Sequence, residues 1–555
     1  MKSSGTDARL TLLNSTTPIR SRAAEEGGFQ IPPWSVPLIL LLLYVCLFSG
    51  LGALGLTGPD EPRYAAIARA MSETHDWITP KLWGVPWFEK PVLYYWSAGI
   101  AMRIFGVSEF AARLPSALAA LLAIAAVAWT ALRSYGVSTA WFTLLMLPTS
   151  VAIIGFSRAA SSDMLFAGLL TAAMAVACEM LQTQRPGPAS RIAFGFLLGA
   201  AVLAKGPAAV ILAGGATLLW AALTREWHAP FRFLHPLIVA AFCATALPWY
   251  VVCSLRNPDF LRVFIWHHNF QRYLTPVFEH RQPFWFYAPI LILATIPWIV
   301  MAASLLSEKW NKTSWEDSPG IFIFCWAVFP LLFFSFSQSK LPGYILPAVP
   351  PAFLLISRAA GRLLASDRRR FVVWIGITGA MFTTLAFAGE KSLGRLGDTF
   401  QVPRSHIIGL LALAAAGGLI AMGFSVAKKP THAVVTAALL IAALLTFMNV
   451  AILPFADAGI SARKAASDGL RLNPSGDHVA VFELNRDWHY ELNYYFRRDL
   501  PEWMSGTPLP EWLFTTERDA AKFQAFGNRI HQVSTVGAPH AILLHVTAAQ
   551  EDGAR

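Results

Sequence analysis

Residues 36–64 read VPLILLLLYVCLFSGLGALGLTGPDEPRY. The stretch 36–56 is apolar almost throughout and close to the roughly 20 residues that carry a helix across a bilayer. It ends at two adjacent acids, Asp60 and Glu61, followed by Arg63 and Tyr64. Similar apolar runs recur along most of the chain. Of its 555 residues, 55% are hydrophobic and 14% charged, where a soluble chain carries about a quarter charged. Lipid forces each backbone polar group to be satisfied within one helix or a closed barrel, and long runs without alternation exclude the barrel. The fold class is an all-α polytopic membrane protein.

Spans are expected near 34–56, 112–132, 139–156, 162–182, 192–204, 206–223, 234–254, 285–305, 320–337, 343–357, 371–389, 406–424 and 433–453, about thirteen transmembrane helices. The first reads as a signal anchor behind a cytoplasmic tail, 1–33, since no small-residue cleavage pattern follows it. The most basic loop, 358–370, holds Arg358, Arg362, Arg368, Arg369 and Arg370 and belongs on the cytoplasmic side. Alternation then places the loops 57–111 and 255–284 and the tail from 454 outside, in the periplasm. The stretches 63–73 and 91–105 are too short to cross and read as interfacial helices in the first loop. The tail 454–555 changes character: DHVAVFEL and HAILLHVT read as strands of a small α/β domain, with NRDWHYELNYYFRR as a helix or strand beside them. The net charge of +11 fits basic cytoplasmic loops rather than a nucleic-acid partner. The five cysteines lie in apolar runs, with no disulfide framework. No nucleotide-binding glycine motif is present.

Ionisable residues at the ends of membrane spans are costly and tend to be functional. The outer loops hold Asp60, Glu61, Arg63, Tyr64, Glu89 and Lys90, then Asp163, Lys205, His267 and His268, then Lys340 and Tyr344. All fall on one predicted face. Carboxylates there suit acid–base work or a substrate amine or hydroxyl. Arginine and lysine suit phosphate, so the set points to phosphorylated lipids. Glu89, His267 and His268 offer zinc ligands. Each has a plainer alternative. Asp60, Glu61 and Asp163 also fit helix N-termini, where the dipole favours acids. Lys205 and Lys340 also fit as snorkelling anchors, and the histidines as interfacial aromatics.

The motifs PDEPRYAAIARAM, DWITPKLWGVPWFEKPVLYYW, SSDMLF, AKGPAAVIL, HHNFQRY, RQPFWFYAPILILATIPW and SKLPGYILPAVPP follow one another between residues 59 and 351. In that order they resemble the lipid-carrier-dependent GT-C glycosyltransferases, most of all the aminoarabinose transferases, relatives of the protein O-mannosyltransferases. The resemblance implies transfer of a sugar from undecaprenyl phosphate to an acceptor, a phosphate of lipid A in the aminoarabinose enzymes. It implies a bacterial inner-membrane enzyme, expected to act as a monomer among membrane lipids, with a periplasmic site and no nucleotide cofactor. Asp60 matches the catalytic aspartate and Asp163 the second acidic position. Lys90, Arg63 and Tyr344 match carrier-phosphate contacts. Glu61, Tyr64, Lys205 and Lys340 are taken as substrate-binding. Glu89 with His267 or His268 matches a zinc site. Gly343, where a polar residue is common, and Ala66, at a glutamate position, depart from the pattern and leave the sugar and acceptor open.

Two other readings stand beside this one. Within the family, a different hexose or pentose could go to protein or another glycolipid. Outside it, a secondary transporter would show an internal repeat and ionisable residues near mid-span; neither is visible here.

Overall fold

An apolar run in lipid has little choice but to coil, because an α-helix satisfies its backbone within the segment. The computed structural model, which describes residues 29–275, 281–307, 318–525, 529–534 and 541–547, is built on that rule. Among the described residues, eight helices are long and apolar enough to cross a membrane, and two bent helix pairs raise this to ten. The eight run from Glu109–Tyr135 to Pro430–Ile460. Three shorter apolar helices, Ser35–Phe48, Ala208–Thr224 and Pro319–Ser335, fall where further spans are expected.

The segments expected to span over 139–156 and 285–305 are each broken into a bent pair of helices. Val137–Met146 and Val151–Ser157 meet at 59°, and Phe284–Thr295 and Ile299–Leu305 at 118°. Each break contains a proline, Pro148 or Pro297, and proline disfavours helix in the residue before it. The breaks satisfy one another: Val151 N–H donates to the Ile296 carbonyl at 3.0 Å, and Trp298 Nε1–H to Thr149 Oγ1 at 3.0 Å.

The first loop forms both expected helices, Asp60–Thr74 and Leu93–Phe105, joined through a two-strand ribbon of β1 (Lys81–Leu82) and β2 (Val85–Pro86). Asp60–Thr74 is not a surface helix with its arginines to one side. Most of it is buried, Arg63 and Arg69 included, because each guanidinium has partners. Arg69 Nη1 donates to the Tyr494 carbonyl at 2.7 Å.

The tail carries a four-stranded mixed sheet in the order β3 (Val479–Val481), β4 (Trp512–Thr515), β6 (Ile542–Thr547), β5 (Arg529–Ser534). Only the β3–β4 pair is parallel. Side chains alternate between two cores. Val479, Val481, Phe514 and Leu543 pack toward Arg463–Leu472 and Arg486–Phe496. Ala480, Leu513, Ile542 and Leu544 pack with Phe523 of Glu517–Ala525. The period of 2 thus covers both faces. NRDWHYELNYYFRR is helical, and the Asn485 side chain caps it by accepting from Trp488 N–H at 3.0 Å.

Candidate active site

The helix Asp60–Thr74 starts two residues after Gly58, whose φ of +67° is a left-handed conformation suited to glycine. Both acids of the opening stretch fall in its first turn, where the helix dipole favours them. They face different ways. Asp60 is exposed and ion-paired with Arg63, one turn on. Glu61 is buried: it receives Arg113 Nη2 at 2.7 Å, Ala160 N–H at 2.6 Å and Thr57 N–H at 2.8 Å. Burial alone would raise the Glu61 carboxyl, but Arg113 and the backbone donors hold it below its ordinary range.

Arg63 is the hinge of the cluster. Its Nη1 reaches Glu89 at 2.9 Å, its Nε donates to the Pro59 carbonyl at 2.8 Å, and its second amino group meets Asp60. The rings of Tyr64, Trp87 and Tyr490 lie 5.8, 5.7 and 5.7 Å from Arg63 Cζ, within cation–π range. Glu89 also takes Lys90 Nζ at 3.1 Å and Arg272 at 3.7 Å. Desolvation pushes the Glu89 carboxyl up; Lys90, Arg63 and Arg272 outweigh it and hold the group well below the carboxylate range, hence ionised.

Beside this cluster opens a cavity of about 350 Å³. Its charged lining is Lys90, Lys205, Arg272 and Glu89, cations in excess; Tyr344 and His268 join them, and Phe166, Phe264, Phe333 and Phe334 form much of the wall. Burial pushes His268 down to about 4, so its ring is neutral near pH 7. Lys205 is ion-paired with Asp163 and stands 5.1 Å from the Tyr344 ring centroid. The turn that presents it needs Gly206 at φ +93°, where a Cβ would meet Phe264 Cζ at 2.8 Å. Ser161 caps the helix that carries Asp163. The arrangement combines fixed positive charge with an aromatic wall, a setting for an anionic head on an apolar tail.

Lys90, Lys205, Tyr344, Glu89 and His268 therefore meet at one cavity, with Arg63, Asp60 and Asp163 joined to it through ion pairs. Three expected substrate contacts lie elsewhere. Glu61 is turned inward to Arg113. Tyr64 is buried against Tyr94 and Tyr95 at ring distances of 5.8 and 6.0 Å. Lys340 donates to the carbonyls of Gln282 and Ser337 at 3.0 and 2.6 Å, tying its own turn to the segment that carries Gln282. His267 Nδ1 pairs with Gln271 Oε1 at 2.7 Å. Among the described residues no group of three His, Cys, Asp or Glu could hold a metal. A zinc ion at Glu89 would have to compete with Arg63 and Lys90, so the donor set does not fit one as arranged. Sequence reasoning gave Arg113, Trp87 and Tyr490 no role, and Arg272 none beyond its place in the loop. Arg113 carried a signal, a lone arginine inside an apolar run; Tyr490 carried none.

The family model of dolichyl-phosphate-mannose-protein mannosyltransferases matches residues 35–264. The undecaprenyl phosphate-alpha-4-amino-4-deoxy-L-arabinose arabinosyl transferase of Edwardsiella ictaluri is 33% identical over 344 residues, covering 61% of this chain and 61% of that one. Its counterpart from Aeromonas hydrophila is 31% identical over 382 residues, 65% of this chain and 69% of that one. The chain spans about three fifths of the length of the first curated relatives it matches. In fold it is similar to the crystal structure of ArnT from Cupriavidus metallidurans bound to undecaprenyl phosphate, with a TM-score of 0.74 at 23% identity, over 94% of this chain and 99% of that one. Cations gathered at an aromatic-walled cavity, on a polytopic helical frame that these relatives share, have one common explanation: the chain belongs to the lipid-carrier-dependent glycosyltransferases that include the aminoarabinose transferases.

Proposed function

We propose that the chain transfers 4-amino-4-deoxy-L-arabinose from undecaprenyl phosphate to a phosphate of lipid A, as a monomer in the bacterial inner membrane with its site toward the periplasm. The observation that carries this is the excess of cations, Lys90, Lys205 and Arg272, in a cavity walled by phenylalanines. A phosphate on a prenyl chain satisfies both halves of that lining. The relatives named for this activity support the choice of donor. The basic loop 358–370 supports the orientation. In the structure Arg358 and Arg362 sit in the second half of helix Val349–Ser366, and Arg368, Arg369 and Arg370 open helix Arg368–Thr399, so the arginines gather where these two helices meet.

In the reaction the bond between the sugar's anomeric carbon and the carrier phosphate breaks, and an acceptor phosphate oxygen bonds to that carbon. Undecaprenyl phosphate leaves with the electron pair. Lys90, Arg272 and Arg63 neutralise the charge that grows on the leaving phosphate, and Tyr344 lies on the same wall. Asp60, exposed and oriented by Arg63, positions the acceptor and takes its proton where one is present. Asp163, held by Lys205, is placed for the sugar's amine or hydroxyls. Zinc has no step in this scheme.

One observation favours a second reading. A Cβ at Gly343 would stand 3.3 Å from Asp163 Oδ2. A side chain there would crowd the carboxylate and Phe156, so glycine presents Asp163 to the sugar without the polar neighbour common in the aminoarabinose enzymes, which favours a different sugar.

The test is mass spectrometry of lipid A from cells lacking their own aminoarabinose transferase, with this chain, with Asp60→Asn and without either. An aminoarabinose-sized addition that requires Asp60 is expected. Unmodified lipid A, despite good expression and a supplied donor, would overturn the donor–acceptor pair and favour another sugar or acceptor.

A further inference from the structure

The loop 52–58 leads from the first span into Asp60, and its backbone is held by residues of the chain's last hundred. Arg463 donates to the carbonyls of Gly52 and Ala53, both at 3.0 Å. Asp457 accepts from Gly55 N–H at 2.8 Å, Tyr495 from Leu56 N–H at 3.1 Å, and Glu491 from Gly58 N–H at 3.1 Å. The other oxygen of Glu491 accepts from Ala462 N–H at 2.6 Å, and the residue is 1% exposed. Next to it on the helix Arg486–Phe496, Tyr490 turns its ring to Arg63, with Arg486 Cζ 5.2 Å from the same ring. A helix of the C-terminal domain therefore touches both the backbone leading to Asp60 and the guanidinium that orients Asp60 and Glu89.

We propose that Glu491 and Tyr490 are positioning residues of the transferase. Glu491 fixes the loop that sets Asp60, and the Tyr490 ring fixes Arg63 for the carrier phosphate, which makes the C-terminal domain a working part of the site. This rests on the donor reading above. A backbone N–H left without its acceptor opens more readily, so the loop should loosen when the Glu491 side chain is truncated.

Hydrogen–deuterium exchange on the full chain in detergent, with transfer kinetics from undecaprenyl phosphate-linked aminoarabinose to lipid A, tests this. In Glu491→Ala, the backbone amides present between 55 and 60 (all but Pro59) should exchange at least tenfold faster while those of Glu109–Tyr135 stay unchanged, and kcat should fall at least tenfold. Tyr490→Ala should raise KM for the donor at least fivefold, and Tyr490→Phe, which keeps the ring, should restore it. Unchanged exchange at 55–60 overturns the role of Glu491, as does an increase spread evenly over the whole chain. Tyr490→Phe as impaired as Tyr490→Ala overturns the role of the ring. If the wild-type chain transfers nothing, the donor reading fails, and exchange in Glu491→Ala alone decides whether the tail holds the loop.

Discussion

Asp60 and Glu61 are neighbours in sequence with opposite surroundings, and that difference sets what each substitution should do. Asp60 is exposed and paired only at its edge, so Asp60→Asn should abolish transfer and leave the unfolding temperature within a degree or two of wild type. Glu61 answers to Arg113, whose guanidinium also donates to the carbonyls of Leu51, Leu54 and Gly55 at 2.7–2.8 Å. Arg113→Ala leaves a buried carboxylate and three carbonyls without their partner. It should cost about 3–5 kcal/mol of stability, read as a large fall in unfolding temperature in detergent; a variant as stable as wild type would show that the pair is not structural. Lys90 touches both Glu89 and the cavity. Lys90→Ala should weaken binding of undecaprenyl phosphate about tenfold, or ~1.4 kcal/mol, with little change in folding; equal affinity by calorimetry would remove Lys90 from the phosphate site. Asp60, Glu61 and Lys90 were legible because a charge beside an apolar run is expensive and therefore conspicuous. What each charge faces was not, because that depends on the helix behind it.

Among elements, the helix Arg486–Phe496 has a pH signature. Burial, with Asp487 and Glu61 nearby, pushes the Glu491 carboxyl up to about 8 against the pull of the Ala462 and Gly58 N–H donors. A folded-state value above the ordinary 4.5 means that the folded protein holds this proton more tightly than the unfolded chain. Its contribution to stability is complete below about 4.5, declines as pH rises toward about 8, and is flat beyond. Wild type should therefore lose more unfolding temperature between pH 5.5 and 8.5 than Glu491→Gln, which cannot ionise; parallel curves would show that Glu491 does not titrate in that window. The bent pairs make a similar point about elements. Pro148 and Pro297 were visible, but that the two breaks satisfy one another's backbone was not.

For the whole molecule, every charged group of the candidate site comes from one chain, so mixing wild type with Asp60→Asn in one membrane should give activity proportional to the wild-type fraction. A steeper fall would mean that copies depend on each other. The sequence by itself determined the helical membrane frame, since long uncharged apolar runs have no other stable form in lipid. It also determined most of the cavity's charges, since nothing local offsets a lysine or aspartate at a span end. Two of the tail's four strands were legible too, in DHVAVFEL and HAILLHVT, whereas β4 and β5 were not. Only the tertiary structure decided that Glu61 and Lys340 turn to structural partners, that Arg63 sits among three rings, and that Glu491 holds Gly58 across 433 positions of chain. Periodicity and composition report on the solvent a segment meets, whereas a pairing between distant segments exists only once the helices between them have packed.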